Sequence, residues 1–227
     1  MIEGVLLVDK PKGWTSFDVV NYVRRMVAAA EGKKPKNCKV GHTGTLDPLA
    51  TGLLIILVGK NYTRRAQDMM KQDKTYEVTM KLGHTSTTGD EEGEKTVVSS
   101  EQPTREVIET ALQKFTGEIM QTPPAFSAMK VEGKRAYELA REGKAVKLEA
   151  RPVKINNIEL TEYAYPFVRF SCDVGSGTYI RSLVEDIGKE LATGAYMSDL
   201  RRTRIGNQLI SNAVSVKEVT LDMVHVI

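Results

Sequence analysis

The longest uninterrupted apolar run in the chain is Gly52–Val58, and its length limits the fold more than any other feature. It falls far short of the roughly 18–20 residues that a membrane helix needs, which excludes an integral membrane protein of that kind. Within it, Leu53–Val58 has no polar residue to turn toward water, so it reads as a fully buried strand. A strand buried on both faces needs other elements to cover it. The 227 residues suffice for one sizeable core, or for one large and one small domain. Hydrophobic residues make up 41% and charged residues 27%, the balance of a soluble globular protein and not of a disordered one.

The first ten residues, Met1–Lys10, place no basic region ahead of their apolar stretch and carry Asp9 inside it. They read as a buried strand over Val5–Val8, not as a signal peptide. Cys38 and Cys172 stand far apart and cannot build a disulfide framework. A reducing, cytoplasmic setting follows as the expectation.

The net charge is only +3, yet the charges are segregated. Lys33, Lys34, Lys36 and Lys39 crowd one stretch, and Arg64-Arg65 and Arg201-Arg202 with Arg204 form two more, whereas Asp90, Glu91, Glu92 and Glu94 gather elsewhere. Such segregation suits a basic face for a phosphate backbone, or simply a solvated surface.

Further elements follow from spacing. After the turn Lys10–Trp14, Ser16 is expected to cap a helix whose apolar side carries Phe17, Val20, Val23 and Val27 and which stops near Gly32. Tyr62–Lys71 is expected to be helical and Thr75–Leu82 a strand. Thr85–Pro103, polar and acidic, reads as a surface excursion. Helices are expected over Thr104–Phe115, with Val107, Ile108, Ala111, Leu112 and Phe115 apolar, and over Ala136–Arg141. Val153–Leu160 and Val168–Val174 read as paired strands. Gly175–Thr178 leads into a helix over Tyr179–Leu191, and Ser198–Leu209 reads as mixed turn and strand. Helices and strands alternate without a repeated βαβ rhythm, which predicts an α+β fold with a mixed or mainly antiparallel sheet.

Few residues stand out for chemistry. Asp47 sits between Gly44 and Gly52, where backbone can approach a ligand closely, and its neighbours Leu46, Pro48 and Leu49 would desolvate a carboxylate. Asp before Pro is equally the signature of a helix N-cap. Arg181 follows a Gly-rich loop at a helix start, a place suited to an anion or a carboxylate, or to an ordinary exposed arginine. Tyr76 and Tyr179 read as core tyrosines, or as rings that stack on a base or take a proton. Cys38 and His42 have ligand spacing, but no second pair accompanies them, so no metal site is expected. No dinucleotide fingerprint, P-loop, kinase set or nucleophile elbow is present, which leaves cofactor-free chemistry or pure binding.

Several stretches together resemble the TruB-type tRNA pseudouridine synthase family. They are Gly4–Ser16, Gly41–Gly52, Lys74–Tyr76, Pro123–Lys130, Tyr137–Arg141, Arg151–Val153, Gly177–Arg181 and Leu200–Arg202, in the family's order across nearly the whole chain. The resemblance implies that Asp47 is the catalytic aspartate, that Tyr76 stacks on the target uracil and is placed to move a proton, and that Arg181 ion-pairs with the aspartate. It implies that Tyr179 and Leu200 line the base pocket and that His42 approaches the RNA where the flipped base was. It further implies a bent, mainly antiparallel sheet flanked by helices with the active cleft across its middle. Residues 1–227 would form one catalytic domain including an RNA-binding insertion, with the usual C-terminal PUA-like domain missing or nearly so.

The implied activity is isomerisation of a T-loop uridine in tRNA, position 55, to pseudouridine. No cofactor or metal is expected, because the reaction neither changes oxidation state nor loses a group. The partner would be the T-arm of tRNA, with no membrane and no protein partner required. Two other readings stay open at this point: an RNA chaperone that remodels tRNA, and guide-RNA-dependent action on ribosomal RNA.

Overall fold

The computed structural model describes residues 1–127, 129–131, 133–143 and 148–225; the stretch Pro123–Lys130 quoted above includes residue 128, which lies outside them. The chain divides into two compact units, one of Met1–Tyr76 with Leu200–Ile227 and one of Glu77–Asp199. In chain order the elements are β1 (Gly4–Lys10), α1 (Ser16–Ala30), β2 (Val40–His42), β3 (Thr51–Val58), α2 (Lys60–Thr63), α3 (Ala66–Met69) and β4 (Lys74–Leu82). Next come β5 (His84–Ser86), β6 (Lys95–Val97), α4 (Arg105–Gln113), β7 (Gly117–Gln121), β8 (Lys130–Val131), β9 (Lys134–Arg135) and α5 (Ala136–Arg141). β10 (Arg151–Ala164), β11 (Phe167–Val174), α6 (Ile180–Glu190), β12 (Ala195–Ile205), β13 (Gln208–Leu209) and β14 (Val214–Ser215) complete the set. The fold is mixed α+β with mostly antiparallel strands, as the patterning predicts. No helix among the described residues is long and apolar enough to cross a membrane.

In the first unit β3 is the centre. β1 runs antiparallel along one side of it, from Gly4 opposite Val58 to Lys10 opposite Gly52. On the other side β2 pairs with its end, His42 opposite Ile56, and β12 pairs parallel with its start, Arg201 opposite Thr51 and Arg202 opposite Gly52. Leu54, Ile56 and Val58 face a cluster with Leu6, Val8 and the Val19, Val20, Val23 and Val27 side of α1. Leu53, Ile55 and Leu57 face a second cluster with Val5, Tyr62 and Ile205. β3 is therefore buried on both faces, as its composition requires, and each such side chain is worth roughly 1.5–3 kcal/mol of burial.

In the second unit β10 and β11 form a long antiparallel hairpin, and β7 pairs antiparallel with β10, Gln121 opposite Arg151. α4 buries Ile108, Ala111 and Leu112, and α6 buries Ile180 to Val184 with Ile187.

Several expectations need correction. Thr15, not Ser16, is the N-cap of α1: it forms a capping box with Asp18, and Ser16 is the first helical residue. Phe17 projects outward, more than half exposed, because the buried stripe of α1 runs through Val19 and Val20. Val107 is also exposed, and Thr104 caps α4 from outside it. The expected helix over Tyr62–Lys71 is two short turns, α2 and α3. Ser198–Leu209 belongs largely to one continuous strand, β12. The acidic excursion Thr85–Pro103 contains the β5–β6 hairpin, and its Asp90 is buried.

Candidate active site

The segment that carries Asp47 leaves β2 and returns into β3. Its conformation is irregular, so its backbone groups need partners other than a strand ladder. Thr43 N donates to Ile55 O at 3.1 Å, and Ala50 N donates to Asp47 O at 3.1 Å. Asp47 therefore opens a tight turn through Pro48 and Leu49; no helix follows, and the N-cap reading of Asp-Pro is overturned. Leu46 and Leu49 are buried, and Asp47 between them is half-buried. Gly52, at the end of the segment, has φ +105°, and a Cβ there would lie 2.3 Å from the Arg202 carbonyl oxygen. Only glycine allows β3 and β12 to approach so closely.

Three buried cations of the first unit lie around this region; the sequence suggests Arg202 only as part of a basic surface cluster and gives Lys10 and Lys74 no role. Lys10 Nζ donates to Trp14 O at 2.6 Å, to Pro11 O at 3.0 Å and to Pro48 O at 3.5 Å. Burial lowers its pKa to about 8, against the attraction of Asp47 and with the repulsion of Arg202. Lys74 Nζ donates to Met70 O and Gln72 O, and burial with the nearby Arg202 charge likewise lowers it to about 8. Arg202, almost fully buried, donates from Nε to Leu53 O at 2.8 Å and from Nη2 to Gly44 O at 3.1 Å, so one guanidinium joins the two ends of the Asp47 segment. The strand period held the signal for all three. Leu6, Val8 and Lys10 share a face of β1; Lys74, Tyr76 and Val78 share a face of β4; Leu200 and Arg202 share a face of β12.

The other expected site residues distribute between the units. His42 ends β2, and its pKa is lowered by burial and by the charge of Arg202. Tyr76 is buried on β4, two residues beyond Lys74. Leu200 is buried on β12, and its carbonyl accepts from the Thr51 hydroxyl at 3.5 Å. His42, Asp47, Tyr76 and Leu200 thus all belong to the first unit. Tyr179 and Arg181 belong to the second.

Tyr179 is the N-cap residue of α6. The buried Gln121 side chain brackets its backbone: Oε1 accepts from Tyr179 N at 2.8 Å and Nε2 donates to Tyr179 O at 3.1 Å. The Arg151 guanidinium lies over the Tyr179 ring, 5.3 Å from its centre. Arg181 is no exposed helix arginine: it is buried, donating to Thr88 O at 3.2 Å and Phe126 O at 2.8 Å, with Asp90 Oδ2 3.7 Å from its Nε.

The basic clusters also separate. Lys33, Lys34, Lys36 and Lys39 are exposed, as are Arg64 and Arg65. Arg202 turns inward, Arg201 pairs with Asp9 at 2.7 Å, and Arg204 donates to Thr75 Oγ1, so the third cluster is structural wiring rather than a basic surface. Among the described residues no three His, Cys, Asp or Glu side chains converge as a metal site.

Comparison with known proteins decides the family. Residues 31–180 match the TruB family pseudouridylate synthase N-terminal domain, and residues 181–226 match the tRNA pseudouridylate synthase B C-terminal domain. The chain belongs to the TruB family of pseudouridylate synthases. A tRNA pseudouridine synthase B of Parabacteroides distasonis is 45% identical over 95% of this chain and 91% of its own length. One of Protochlamydia amoebophila is 42% identical over 96% of this chain and 80% of its own length. Among solved structures, a chain of a Cbf5–Nop10–Gar1 complex superposes with a TM-score of 0.71 at 30% identity, covering 96% of this chain. This chain spans 54% of that one. The protein is accordingly an isomerase of uridine in RNA.

Proposed function

We propose that the protein converts a uridine of tRNA to pseudouridine, at position 55 in the T-loop, with no cofactor and no obligatory protein partner, in the cytoplasm. The observation that carries this reading is identity of 45% over nearly the whole length of a tRNA pseudouridine synthase B. The relative from the Cbf5 complex is less similar and far longer than this chain, which favours free tRNA over a guided ribosomal RNA target.

The chemistry breaks the bond from ribose C1′ to N1 of uracil, turns the base, and joins C1′ to C5. The proton displaced from C5 leaves, and N1 gains one, so atoms balance with nothing added. Asp47 is the group proposed to act at the reacting nucleotide, by attack on C1′, by addition to the base, or by taking a proton that leads to a glycal. Its support is its half-buried place between the buried Leu46 and Leu49, in a segment whose backbone Ser16 and Arg202 hold. Tyr76 is proposed to stack on the uracil and move a proton, Leu200 and Tyr179 to line the base pocket, and His42 to stand where the base left the RNA. Arg181 is proposed to pair with Asp47 and keep it ionised and aimed. The target base must leave its stack, at a cost of a few kcal/mol. Phosphate contacts from exposed lysines such as Lys33, Lys34, Lys36 and Lys39 would offset that cost.

The test is pseudouridine mapping on unmodified tRNA transcript incubated with purified protein and nothing else. One new pseudouridine in the T-loop is expected. Asp47→Asn should lower single-turnover rate by about a thousandfold or more while tRNA binding stays within a few-fold. Turnover by Asp47→Asn near the wild-type rate would remove Asp47 from the reaction. A T-loop left unmodified by the wild-type protein would remove the substrate assignment.

A further inference from the structure

Ser16 has no capping duty in α1, because Thr15 and Asp18 already complete the capping box. Its hydroxyl is buried and engaged thirty residues away. Ser16 Oγ accepts from Leu46 N at 2.8 Å and donates to Leu46 O at 3.1 Å. One hydroxyl thereby satisfies both backbone groups of the residue immediately before Asp47. The second bond fixes the Leu46 carbonyl, and with it the plane of the Leu46–Asp47 peptide. The next peptide plane is fixed independently, by Ala50 N on Asp47 O. With both planes pinned, the direction in which the Asp47 Cα–Cβ bond leaves the main chain is set. The residue after Asp47 is tied to the same β1–α1 connection, since Gly13 N donates to Pro48 O at 2.8 Å.

We infer that Ser16 is a positioning residue for the isomerisation: it aims Asp47 through the Leu46 backbone and contributes to rate rather than to RNA affinity. The inference rests on the assignment of Asp47 as the catalytic carboxylate. Nothing in Ser16's own chemistry reaches the RNA, so its loss should leave binding intact and mis-aim the carboxylate. A displacement well under 1 Å at the reacting group is enough to cost rate, and the order of loss for 1 Å is about a hundredfold.

Two substitutions separate aiming from packing. Ser16→Ala removes the hydroxyl and fits the same space. Ser16→Thr keeps the hydroxyl and adds a methyl group to a tight site. Single-turnover rates at saturating enzyme and equilibrium tRNA binding are measured for both on the intact protein, with unmodified tRNA transcript. Ser16→Ala is expected to slow the step by roughly tenfold to a hundredfold with binding within twofold, and Ser16→Thr to stay within about threefold of the wild-type rate. A packing role gives the reverse order. The inference is overturned if Ser16→Ala reacts within twofold of wild type, if its lost rate matches lost binding-competent protein, or if Ser16→Thr is as slow as a poorly reacting Ser16→Ala. Should Ser16→Ala fail to fold, the Ser16→Thr rate alone decides. Asp47→Asn run alongside keeps the two assignments apart: an active Asp47→Asn removes the underlying reading, whereas an inert Asp47→Asn with an unimpaired Ser16→Ala removes only this inference.

Discussion

The two units solve the same local problem with different means. Each has to hold the backbone at or beside a proposed site residue, and each does so with one buried polar side chain bonded to both the N–H and the C=O of one residue: Ser16 around Leu46, next to Asp47, in the first unit, and Gln121 around Tyr179 in the second. The surroundings differ. Tyr179 starts a helix, so most backbone groups beyond it are satisfied by the helix itself, and the buried Arg181 has Asp90 close by. Leu46 and Asp47 lie on an irregular segment, and there stray carbonyls are met by two buried cations, Lys10 on Pro48 O and Arg202 on Gly44 O, while Lys74 holds the carbonyls of Met70 and Gln72 just before β4. Regular structure needs one clamp. An irregular segment needs a clamp and a set of carbonyl-seeking charges, because an unmet buried carbonyl costs about 1–3 kcal/mol.

The sharpest way to break that contrast is Gly52→Ala. The added Cβ would meet Arg202 backbone on the neighbouring strand at 2.3 Å, with φ +105° against it, and neither backbone can yield cheaply. A stability loss of about 4 kcal/mol or more is expected, read from urea unfolding. A variant as stable as wild type would show that close strand approach does not hold the Asp47 segment. Next in size is Gln121→Leu, which leaves the Tyr179 N–H without its buried partner, while the Tyr179 C=O keeps the Leu183 N–H. A loss of about 1–3 kcal/mol is expected, with faster amide exchange over Tyr179–Leu183 and none over Val40–Leu57. Faster exchange over Val40–Leu57 would mean that the two clamps are not independent.

A third effect is a pH dependence whose rising limb belongs to the first unit. Lys10 and Lys74 each have a folded pKa of about 8 against an ordinary 10.5. Between those values the unfolded chain binds more protons than the folded one, so stability rises with pH there; below about pH 8 both states hold the proton and the folded state carries the full cost of burying it. The urea midpoint should therefore increase from pH 7.5 to 9.5, and Lys74→Met should flatten the rise. A flat wild-type profile over that range would refute the assignment of buried charge. Above pH 10 the trend should turn, since Tyr196 is pushed up to about 12 by burial and stays protonated only in the folded protein.

What the sequence disclosed follows the same division. β3 and α6 were legible because their apolar pattern has one solution, and the α+β class followed from element order. Asp47, Tyr76 and Arg181 stand out from the residues themselves, but only the resemblance gives them roles, and composition alone leaves Asp47 readable as a helix cap. The buried cations went unread because hydropathy assigns lysine and arginine to the surface, although the strand period placed Lys10, Lys74 and Arg202 inward beside Leu6, Tyr76 and Leu200. Ser16 was read as a cap for a related reason: local spacing favours the nearest backbone partner, and its true partner is thirty residues on. Arg181 was ambiguous until carbonyls of Thr88 and Phe126 appeared around it, from segments that no local pattern connects to α6.

Because Arg202 grips the carbonyls of Gly44 and Leu53 away from water, dissolved ions have little purchase on that strut, whereas contacts to nucleic-acid phosphates weaken steeply as electrolyte is added. Brine should thus strip this protein of its polynucleotide long before it disturbs the groundwork under the Asp47 segment. Desalting would then hand back a catalyst that needs no reshaping before its next encounter.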